Sequence, residues 1–315
     1  MRGQELGILD IMERDYRVPV TEVADTLGIS RATVKRRLRS MYDSGVFQGY
    51  QVEVDRHSLG LERMVYIEVK TNPKEDWLPR AIETMSCCVE SHGVIGEFGL
   101  IFKMMFETGE ALAGRLTALD SLISSTQSKR YEILDVIDTY KERGSRHRPC
   151  DAHPDNIGVS VLRAIRSQES ASPLTVSEIA GRVRADLGRG VSKSTVQRRL
   201  SRMEELGIIR QFTVKPRVWR RGAGVRCFIR VKTEPAETDE TARDLASRDE
   251  FISLYRTGED YCLFGDILLA SMDSLDSFVK GLYARPGVRD TVTTIILETR
   301  KEIPFPVGSL AAGSG

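Results

Sequence analysis

Residue types and motifs that mark several common protein classes are scarce or missing in this 315-residue chain. The five cysteines form no C-x-x-C pair, and none of the four histidines stands at zinc-ligand spacing. Neither a disulfide framework nor a structural zinc site is therefore expected. No apolar run approaches the length of a membrane span, and the N-terminus has no apolar signal region. We expect a cytoplasmic protein with reduced thiols that does not enter a membrane.

The charge balance and the absent catalytic motifs narrow the function further. A formal net charge of +1 argues against a protein that coats a polyanion with its whole surface. The sequence has no G-x-x-x-x-G-K-[ST] loop, no G-x-S-x-G elbow, no H-E-x-x-H helix and no EF-hand loop. At 41% hydrophobic residues it can bury sizeable cores. We expect no cofactor, no metal and no catalytic residue, and thus a protein that is not an enzyme.

An internal repeat organises the chain. Residues 29–50 (ISRATVKRRLRSMYDSGVFQGY) resemble residues 191–212 (VSKSTVQRRLSRMEELGIIRQF), at an offset of 162 positions. The matched pairs include Ser30 with Ser192, Arg37 with Arg199, Gly45 with Gly207, and Gly96 with Gly258. A constant offset over such a span predicts a tandem duplication.

Each copy predicts a helix-turn-helix unit. The repeated segment opens with serine, a preferred N-cap residue, and its apolar residues recur at spacings of three and four, which places them on one helix face. These apolar residues are Val34, Leu38 and Met41 in the first copy, and Val196, Leu200 and Met203 in the second. Shorter predicted helices precede at 20–27 and 176–183, and β-rich segments follow at 46–54 and 208–214. This order is that of a winged helix-turn-helix, whose second helix enters the DNA major groove.

The second helices, predicted at 30–44 and 192–206, are cationic opposite their apolar faces. A charged face is usually only solvated, but two such helices in the same setting favour binding to double-stranded DNA. Gln197 is suited to adenine and Arg198 to guanine, whereas the other cations suit phosphates. Arg37 and Arg199 either contact phosphate or pair within the protein, and the sequence leaves both possibilities open. The residues expected to face DNA are Arg31, Thr33, Lys35, Arg36, Arg39, Lys193, Ser194, Gln197, Arg198 and Arg202.

The remaining segments each predict the order β-α-β-β-α-β of a ferredoxin-like unit. The fold class is therefore α+β, with two winged helix-turn-helix heads alternating with two ferredoxin-like βαββαβ domains. The second head departs from the first at 182–190, which is about six residues longer, so its second helix or the following turn is extended. The predicted domains are heads at 1–55 and 157–216, βαββαβ domains at 64–142 and 225–303, a linker at 143–156 and a disordered tail at 304–315.

A winged helix-turn-helix head joined to a βαββαβ domain resembles the Lrp/AsnC family of feast-famine transcriptional regulators. The resemblance rests on the R-R-L helix with its following glycine in each copy, on the segment TGEDYCL at 257–263, and on Pro286-Gly287-Val288 leading into 293–297. It implies a sequence-specific DNA-binding regulator that responds to a small molecule such as an amino acid. Family members usually carry one head and one βαββαβ domain, so this chain would be an intramolecular pseudo-dimer with its two sheets packed together. Further homo-oligomerisation is expected.

The resemblance also implies where an effector binds. The family's ligand site lies around the glycine between the second and third strands, which corresponds to Gly96 and Gly258. An ordinary β-turn would also use glycine there. The second loop is the better candidate, because Tyr261 stands where the first copy has only Gly99 and because Glu259 and Asp260 suit an α-amino group. The predicted effector-binding residues are Gly96, Gly258, Glu259, Asp260 and Tyr261.

A second resemblance leads to a different class of function. Siroheme decarboxylases look similar, with a winged-helix head, a βαββαβ domain and paired or fused subunits. In them the fold binds a tetrapyrrole between two sheets, so a histidine is needed near the iron or the carboxylates. His92, in a predicted strand, is the candidate, although a strand histidine is more often satisfied by its neighbours. This tetrapyrrole enzyme is the alternative function, and an interaction module whose heads no longer bind DNA is a third possibility.

Overall fold

The computed structural model describes residues 3–72, 74–146, 150–216 and 224–306. The chain forms two compact units, and each unit takes segments from both halves of the sequence. We call Met1–Gly60, Pro149–Gly222 and Ile303–Gly315 the head unit, and Leu61–Arg148 with Ala223–Glu302 the sheet unit. None of the helices in the described ranges combines the length and apolarity that a membrane span needs.

Apart from two short strands of two residues each, β6 and β7, the helices and strands follow the same order in the two halves of the chain. The first half contains α1 (Gly3–Arg14), α2 (Val20–Leu27), α3 (Arg31–Asp43), β1 (Phe47–Val54), β2 (Arg63–Val69), α4 (Trp77–Glu83), β3 (Cys88–Ile95), β4 (Leu100–Phe106), α5 (Gly109–Ser124), β5 (Tyr131–Glu142) and β6 (Ser145–Arg146). The second half contains α6 (Asn156–Ile165), β7 (Ser167–Gln168), α7 (Val176–Leu187), α8 (Lys193–Glu205), β8 (Ile209–Pro216), β9 (Val225–Thr233), α9 (Thr238–Ala246), β10 (Phe251–Thr257), β11 (Leu263–Leu269), α10 (Met272–Tyr283) and β12 (Val288–Glu302). The predicted α+β fold class is confirmed.

Local sequence chemistry explains the recognition helices of the head unit. The Ser30 side chain accepts a hydrogen bond from the Thr33 amide at 3.1 Å, and Ser192 accepts one from Thr195 at 3.1 Å, so both serines cap their helices. The glycines that follow, Gly45 and Gly207, adopt left-handed φ values of +66° and +77°, which stop the helices. The extra residues of the second head lengthen α7, which continues to Leu187 rather than to residue 183.

The β-rich segments after the recognition helices do not form separate wings. Each copy contributes one long strand, and β1 pairs antiparallel with β8 of the other copy. The short β7 pairs with the opposite edge of β1, giving the sheet order β7-β1-β8. Backbone donors on a lone strand need partners, and in each case the other copy supplies them. The two heads therefore share one sheet.

The two βαββαβ segments join at both edges within the sheet unit. Their strands follow the antiparallel order β10-β11-β9-β12-β3-β4-β2-β5, and β10 also pairs with β5, which closes the ring. In both junctions the last strand of one segment pairs with the second strand of the other, so the ring has a pseudo-two-fold arrangement. We call the strands of the first βαββαβ segment the first sheet and those of the second segment the second sheet. Helices α4 and α5 cover the outer face of the first sheet, and α9 and α10 cover the outer face of the second. The inner faces meet inside the ring.

Two segments that the sequence predicted to lack structure are partly ordered. The predicted linker contains β6, which pairs with the end of β5. The predicted disordered tail begins too early, because Phe305 is only 2% exposed and its carbonyl accepts a hydrogen bond from Arg166 at 3.0 Å. The buried side chain and the backbone hydrogen bond hold Phe305 in place. Residues 147–149 of the linker and 307–315 of the tail lie outside the described residues.

Candidate DNA-binding helices and ligand loops

Helix α3 presents its cations on the exposed face, opposite the buried Val34, Leu38 and Met41. Arg31, Lys35 and Arg36 are exposed and make no ion pair with any described residue. Arg39 is also exposed but pairs with Asp43 one turn later, at 3.0 Å. Thr33 differs from the others because it is half-buried and its hydroxyl lies 2.9 Å from that of Ser30. Four of the five predicted DNA-facing side chains of α3 are therefore accessible, and the fifth supports the cap.

Helix α8 presents a similar face. Lys193, Gln197 and Arg198 are exposed, and Arg202 makes an exposed ion pair with Glu205 at 3.4 Å. The exposed Ser194 bonds the capping serine, with 2.8 Å between the two hydroxyl oxygens. The face is chemically suited to phosphates and base edges, as on α3.

The arginines whose role the sequence left open differ between the two heads. Arg199 pairs with Asp155, the N-cap residue of α6, at 2.5 Å. Arg37 is half-buried, and its Nη1 atom is buried without a hydrogen-bond partner among the described residues. Arg199 therefore pairs internally, whereas Arg37 has no such carboxylate.

A cluster of aromatic side chains joins the two heads. Tyr16 places its ring 5.0 Å from Tyr50 and 5.7 Å from Phe212, between centroids, so residues of both copies share one aromatic core. The Tyr16 amide also donates to the Phe212 carbonyl at 3.0 Å. The neighbouring Arg17 pairs with Glu204 in the last turn of α8. Sequence reasoning missed this cluster, because no local pattern indicates which aromatic residues of distant segments meet.

The first loop predicted to bind a ligand (the first ligand loop, residues 96–99 between β3 and β4) is held by Arg130, which immediately precedes β5. Glu97 receives a hydrogen bond from Arg130 at 2.5 Å, and the same guanidinium lies 5.2 Å from the centroid of Phe98. A Cβ atom placed on Gly96 would lie 3.6 Å from Thr294 of the other sheet, so the backbone runs close to β12 there without a clash. The loop is therefore compatible with a plain turn.

The second loop predicted to bind a ligand (the second ligand loop, residues 258–261 between β10 and β11) has more polar side chains, and two of them already have hydrogen-bond partners. Lys232 donates to Asp260 at 2.5 Å, and the Tyr261 hydroxyl donates to Asp290 at 2.6 Å. The hydrogen bond to Asp290 raises the pKa of Tyr261. Glu259 has no hydrogen bond or ion pair to a described residue, and burial raises its pKa, an effect that Arg230 opposes. Of the predicted acidic pair, Glu259 is thus the carboxylate that remains available.

The inner faces of the ring carry an ionic cluster that the sequence analysis did not identify. Lys103 is 1% exposed and donates to Glu90, Glu142 and the Tyr255 hydroxyl at 3.4, 3.2 and 3.0 Å. On the second sheet, Arg226 donates to Asp266 at 2.7 Å. The available signal was the period of two in β9, which places Arg226, Phe228 and Arg230 on one face. This alternation indicates which face of β9 is charged, but it does not indicate which residues of other strands pair with those charges.

The charges of this cluster stabilise one another. Burial raises the pKa of Glu90, but Lys103, His92 and Arg143 lower it by more, so that it lies well below its usual range. For Glu302 burial likewise acts to raise the pKa, and Arg226 and Arg143 outweigh it. Both carboxylates are therefore ionised at neutral pH and suit the cations around them.

His92, the candidate histidine of the tetrapyrrole enzyme, lies deep within the ring. It is fully buried, its Nδ1 atom is 3.2 Å from the Thr299 hydroxyl, and its Nε2 atom is 3.5 Å from a Glu90 oxygen. Its ring packs edge-on against Phe228, with 5.3 Å between centroids. Phe228 in turn packs against Tyr66 and Phe264, with 5.9 and 5.2 Å between ring centroids. Side chains fill this level of the ring and leave the imidazole without an open face for a tetrapyrrole.

Two parts of the chain match models of known protein families. A model of the Lrp/AsnC ligand binding domain matches residues 226–304, and a model of winged helix-turn-helix DNA-binding domains matches residues 1–48. The HTH-type transcriptional regulator FL11 of Pyrococcus abyssi is 28% identical over 148 residues, which are 47% of this chain and 92% of that protein. Regulatory protein AsnC of Haemophilus influenzae is 28% identical over 123 residues, 38% of this chain and 82% of that protein.

The fold of the whole chain has a different neighbour. A crystal structure of the siroheme decarboxylase NirDL covers 96% of this chain and 94% of its own, with a TM-score of 0.63 at 12% identity. At that identity the likeness concerns the fold alone.

The winged helix-turn-helix and the ligand-binding domain together define a DNA-binding transcriptional regulator. The sequence matches assign it to the Lrp/AsnC type, as a homologue of FL11 and AsnC.

Proposed function

We propose that this protein is a two-headed regulator in which two Lrp/AsnC-like modules, joined by tandem duplication, act as an intramolecular pseudo-dimer on double-stranded DNA. The observation that carries the proposal is the pair of exposed cationic helices, α3 and α8, within one compact unit. A relative such as FL11 matches less than half of this chain but nearly all of its own length, as expected if the chain holds two such modules. One chain would then present two recognition helices without a partner chain.

In this proposal the recognition helices read unequal half-sites. Gln197 and Arg198 contact adenine and guanine edges, and Lys35 and Arg36 together with the remaining exposed cations neutralise phosphates. The two helices carry different side chains at several exposed positions, so the preferred operator is a pseudo-palindrome rather than a true palindrome.

The proposal includes a small-molecule effector at the second ligand loop. Glu259 is the side chain that would receive an α-amino group, because Asp260 and Tyr261 already have partners. Isothermal titration with a panel of amino acids tests this, and Glu259→Gln should remove any binding that is seen. Binding that survives in Glu259→Gln would place the effector elsewhere.

We also propose that the pseudo-dimers assemble further and that the protein acts in the cytoplasm.

The direct test of DNA binding is the salt dependence of affinity for duplexes selected from a random library. The wild type should bind a selected duplex with a steep slope of log affinity against log salt, because bound cations release counterions. Lys35→Ala/Arg36→Ala should weaken binding and reduce that slope by about two. The matched control Lys74→Ala/Arg80→Ala removes two exposed cations from the sheet unit and should leave the slope unchanged. Equal slopes in all three proteins would exclude α3 as a DNA reader.

A second candidate function is decarboxylation of siroheme, which the whole-chain fold likeness to NirDL favours. The enclosed ring around His92 argues against it. Absorption spectra of the purified protein titrated with siroheme decide between the two functions. A stoichiometric Soret shift without sequence-selective DNA binding would overturn the regulator in favour of the tetrapyrrole enzyme. Selective DNA binding with no spectral change would leave the regulator.

A further inference from the structure

Arg17, in the connection between α1 and α2, makes an ion pair that is separate from the DNA contacts proposed above. The two terminal guanidinium nitrogens of Arg17 donate to the two oxygens of Glu204, at 2.9 and 2.6 Å. Arg17 belongs to the first copy, whereas Glu204 lies in the last turn of α8, the recognition helix of the second copy. A bidentate pair fixes direction as well as distance, because two parallel hydrogen bonds allow little rotation.

Two further contacts hold the Arg17 guanidinium in place. Its Nε and Nη2 atoms donate to Asp15 at 3.0 and 2.7 Å, and its central carbon lies 3.7 Å from the centroid of Phe212 in β8. The hydrogen bonds to Glu204 are the largest cause of a raised pKa at Arg17. The side chain therefore joins its own connection to both a strand and the recognition helix of the other head.

The first recognition helix has no equivalent contact. The residue 162 positions before Glu204 is Tyr42, whose ring packs 5.7 Å from that of Phe47 in its own copy. In the described ranges no ion pair joins α3 to the second head. The second head instead contacts β1, where the Tyr50 hydroxyl donates to the Ala171 carbonyl at 3.1 Å. Among the described residues, an ion pair between a head and the opposite recognition helix is thus present on α8 and absent on α3.

We propose that Arg17 is a positioning residue for DNA recognition. Its pair with Glu204 holds α8 in one orientation against the first head, and so sets the spacing at which two half-sites are read together. The inference rests on the proposed function, because it requires α3 and α8 to be on DNA at the same time. Arg17 acts through α8 and does not itself touch the duplex.

The test measures the preference for half-site spacing. A duplex selected by the wild type is rebuilt with spacers lengthened or shortened in single base-pair steps, and affinity is measured for each. Glu204→Gln keeps the shape of the side chain and removes its charge. The control Glu205→Gln removes the same charge from the same turn, where Glu205 pairs with Arg202 of α8 itself.

Glu204→Gln should lower the ratio of affinities between the best spacer and its neighbours by about two- to fivefold, the size expected for an exposed ion pair. Glu205→Gln should change affinity by the same factor at every spacer. Arg17→Lys keeps the charge but loses the planar fork, so its ratio should fall between those of the wild type and Glu204→Gln.

An unchanged spacing ratio in both Glu204→Gln and Arg17→Lys overturns the inference, because the shared sheet would then set the spacing alone. Selected duplexes that contain a single half-site also overturn it, while leaving DNA binding intact. If the wild type selects no common sequence, the proposed function fails and the inference fails with it.

Discussion

The two copies of the repeat are alike on the recognition helices and differ at charged positions on the inner faces of the sheet unit. Helices α3 and α8 bury valine, leucine and methionine at matching positions and expose cations on the other face. On the inner faces, Tyr66 in β2 has Lys103 as its cross-strand partner, whereas its counterpart Phe228 in β9 has Asp266. The exposed cationic faces of the two helices are thus similar, whereas the inner faces of the two halves carry complementary charges.

One pair of equivalent residues shows what this difference means. Glu68 and Arg230 stand 162 positions apart and form an ion pair with each other across the ring. Two identical subunits would place glutamate beside glutamate or arginine beside arginine there, and like charges at short distance destabilise a buried site. The observed pair therefore suits pairing between the halves of one chain rather than between two identical modules.

The largest expected effect comes from restoring the like-charge contact. Arg230→Glu places two carboxylates together where Glu68 is only 3% exposed, and should lower the free energy of unfolding by about 3 kcal/mol or more. The exchanged variant Glu68→Arg/Arg230→Glu should recover most of that loss. Urea denaturation measures all three proteins. If the exchanged variant is as unstable as Arg230→Glu, then charge complementarity is not what joins the halves.

The next effect separates base reading from phosphate binding on the two recognition helices. Arg198→Ala should weaken binding to the selected duplex by about ten- to a hundredfold more than binding to a random duplex, because a base-reading arginine discriminates by about 1–3 kcal/mol. Lys35→Ala should weaken binding to both duplexes by the same factor. Fluorescence anisotropy with the two duplexes measures these affinities. A uniform loss in Arg198→Ala would place Arg198 on phosphate instead.

The ionic cluster predicts how stability depends on pH. The folded pKa of Glu90 lies well below 4.5, its ordinary value, so its contribution to stability is complete above about pH 4.5 and is lost as the pH falls towards the folded value. Glu90→Gln should therefore lower stability at pH 7 and flatten the loss of stability on acidification. Thermal unfolding from pH 7 to pH 3 tests this. Parallel curves for the wild type and Glu90→Gln would contradict the assignment.

The smallest expected effect compares the two helix caps. Ser30→Ala and Ser192→Ala should each lower the free energy of unfolding by about 1 kcal/mol. The loss should be slightly larger for Ser192, whose hydroxyl oxygen lies 2.8 Å from that of Ser194 and 2.9 Å from that of Thr195, whereas Ser30 meets only Thr33 in this way. Urea denaturation of both variants measures the difference. A larger loss in Ser30→Ala would show that these side-chain hydroxyls do not strengthen the cap.

Local signals in the sequence predict much of this fold, and long-range pairing accounts for what they miss. Capping serines, helical spacing and following glycines locate α3 and α8 to within one residue at each end. The same signals cannot indicate that β1 pairs with β8, because strand pattern fixes which face is buried and not which edge is joined. Nor do they link Arg199 to Asp155, or Arg17 to Glu204, since each pair is distant in sequence. The DNA-facing residues remain predictions.

The most direct test of the two-headed account is hydroxyl-radical footprinting of a selected duplex. The wild type should protect two tracts about one helical turn apart. Lys35→Ala/Arg36→Ala should lose one tract and keep the other, and Gln197→Ala/Arg198→Ala should show the reverse. A single protected tract with the wild type, or loss of the same tract in both double variants, would contradict the claim that one chain reads DNA with both of its recognition helices.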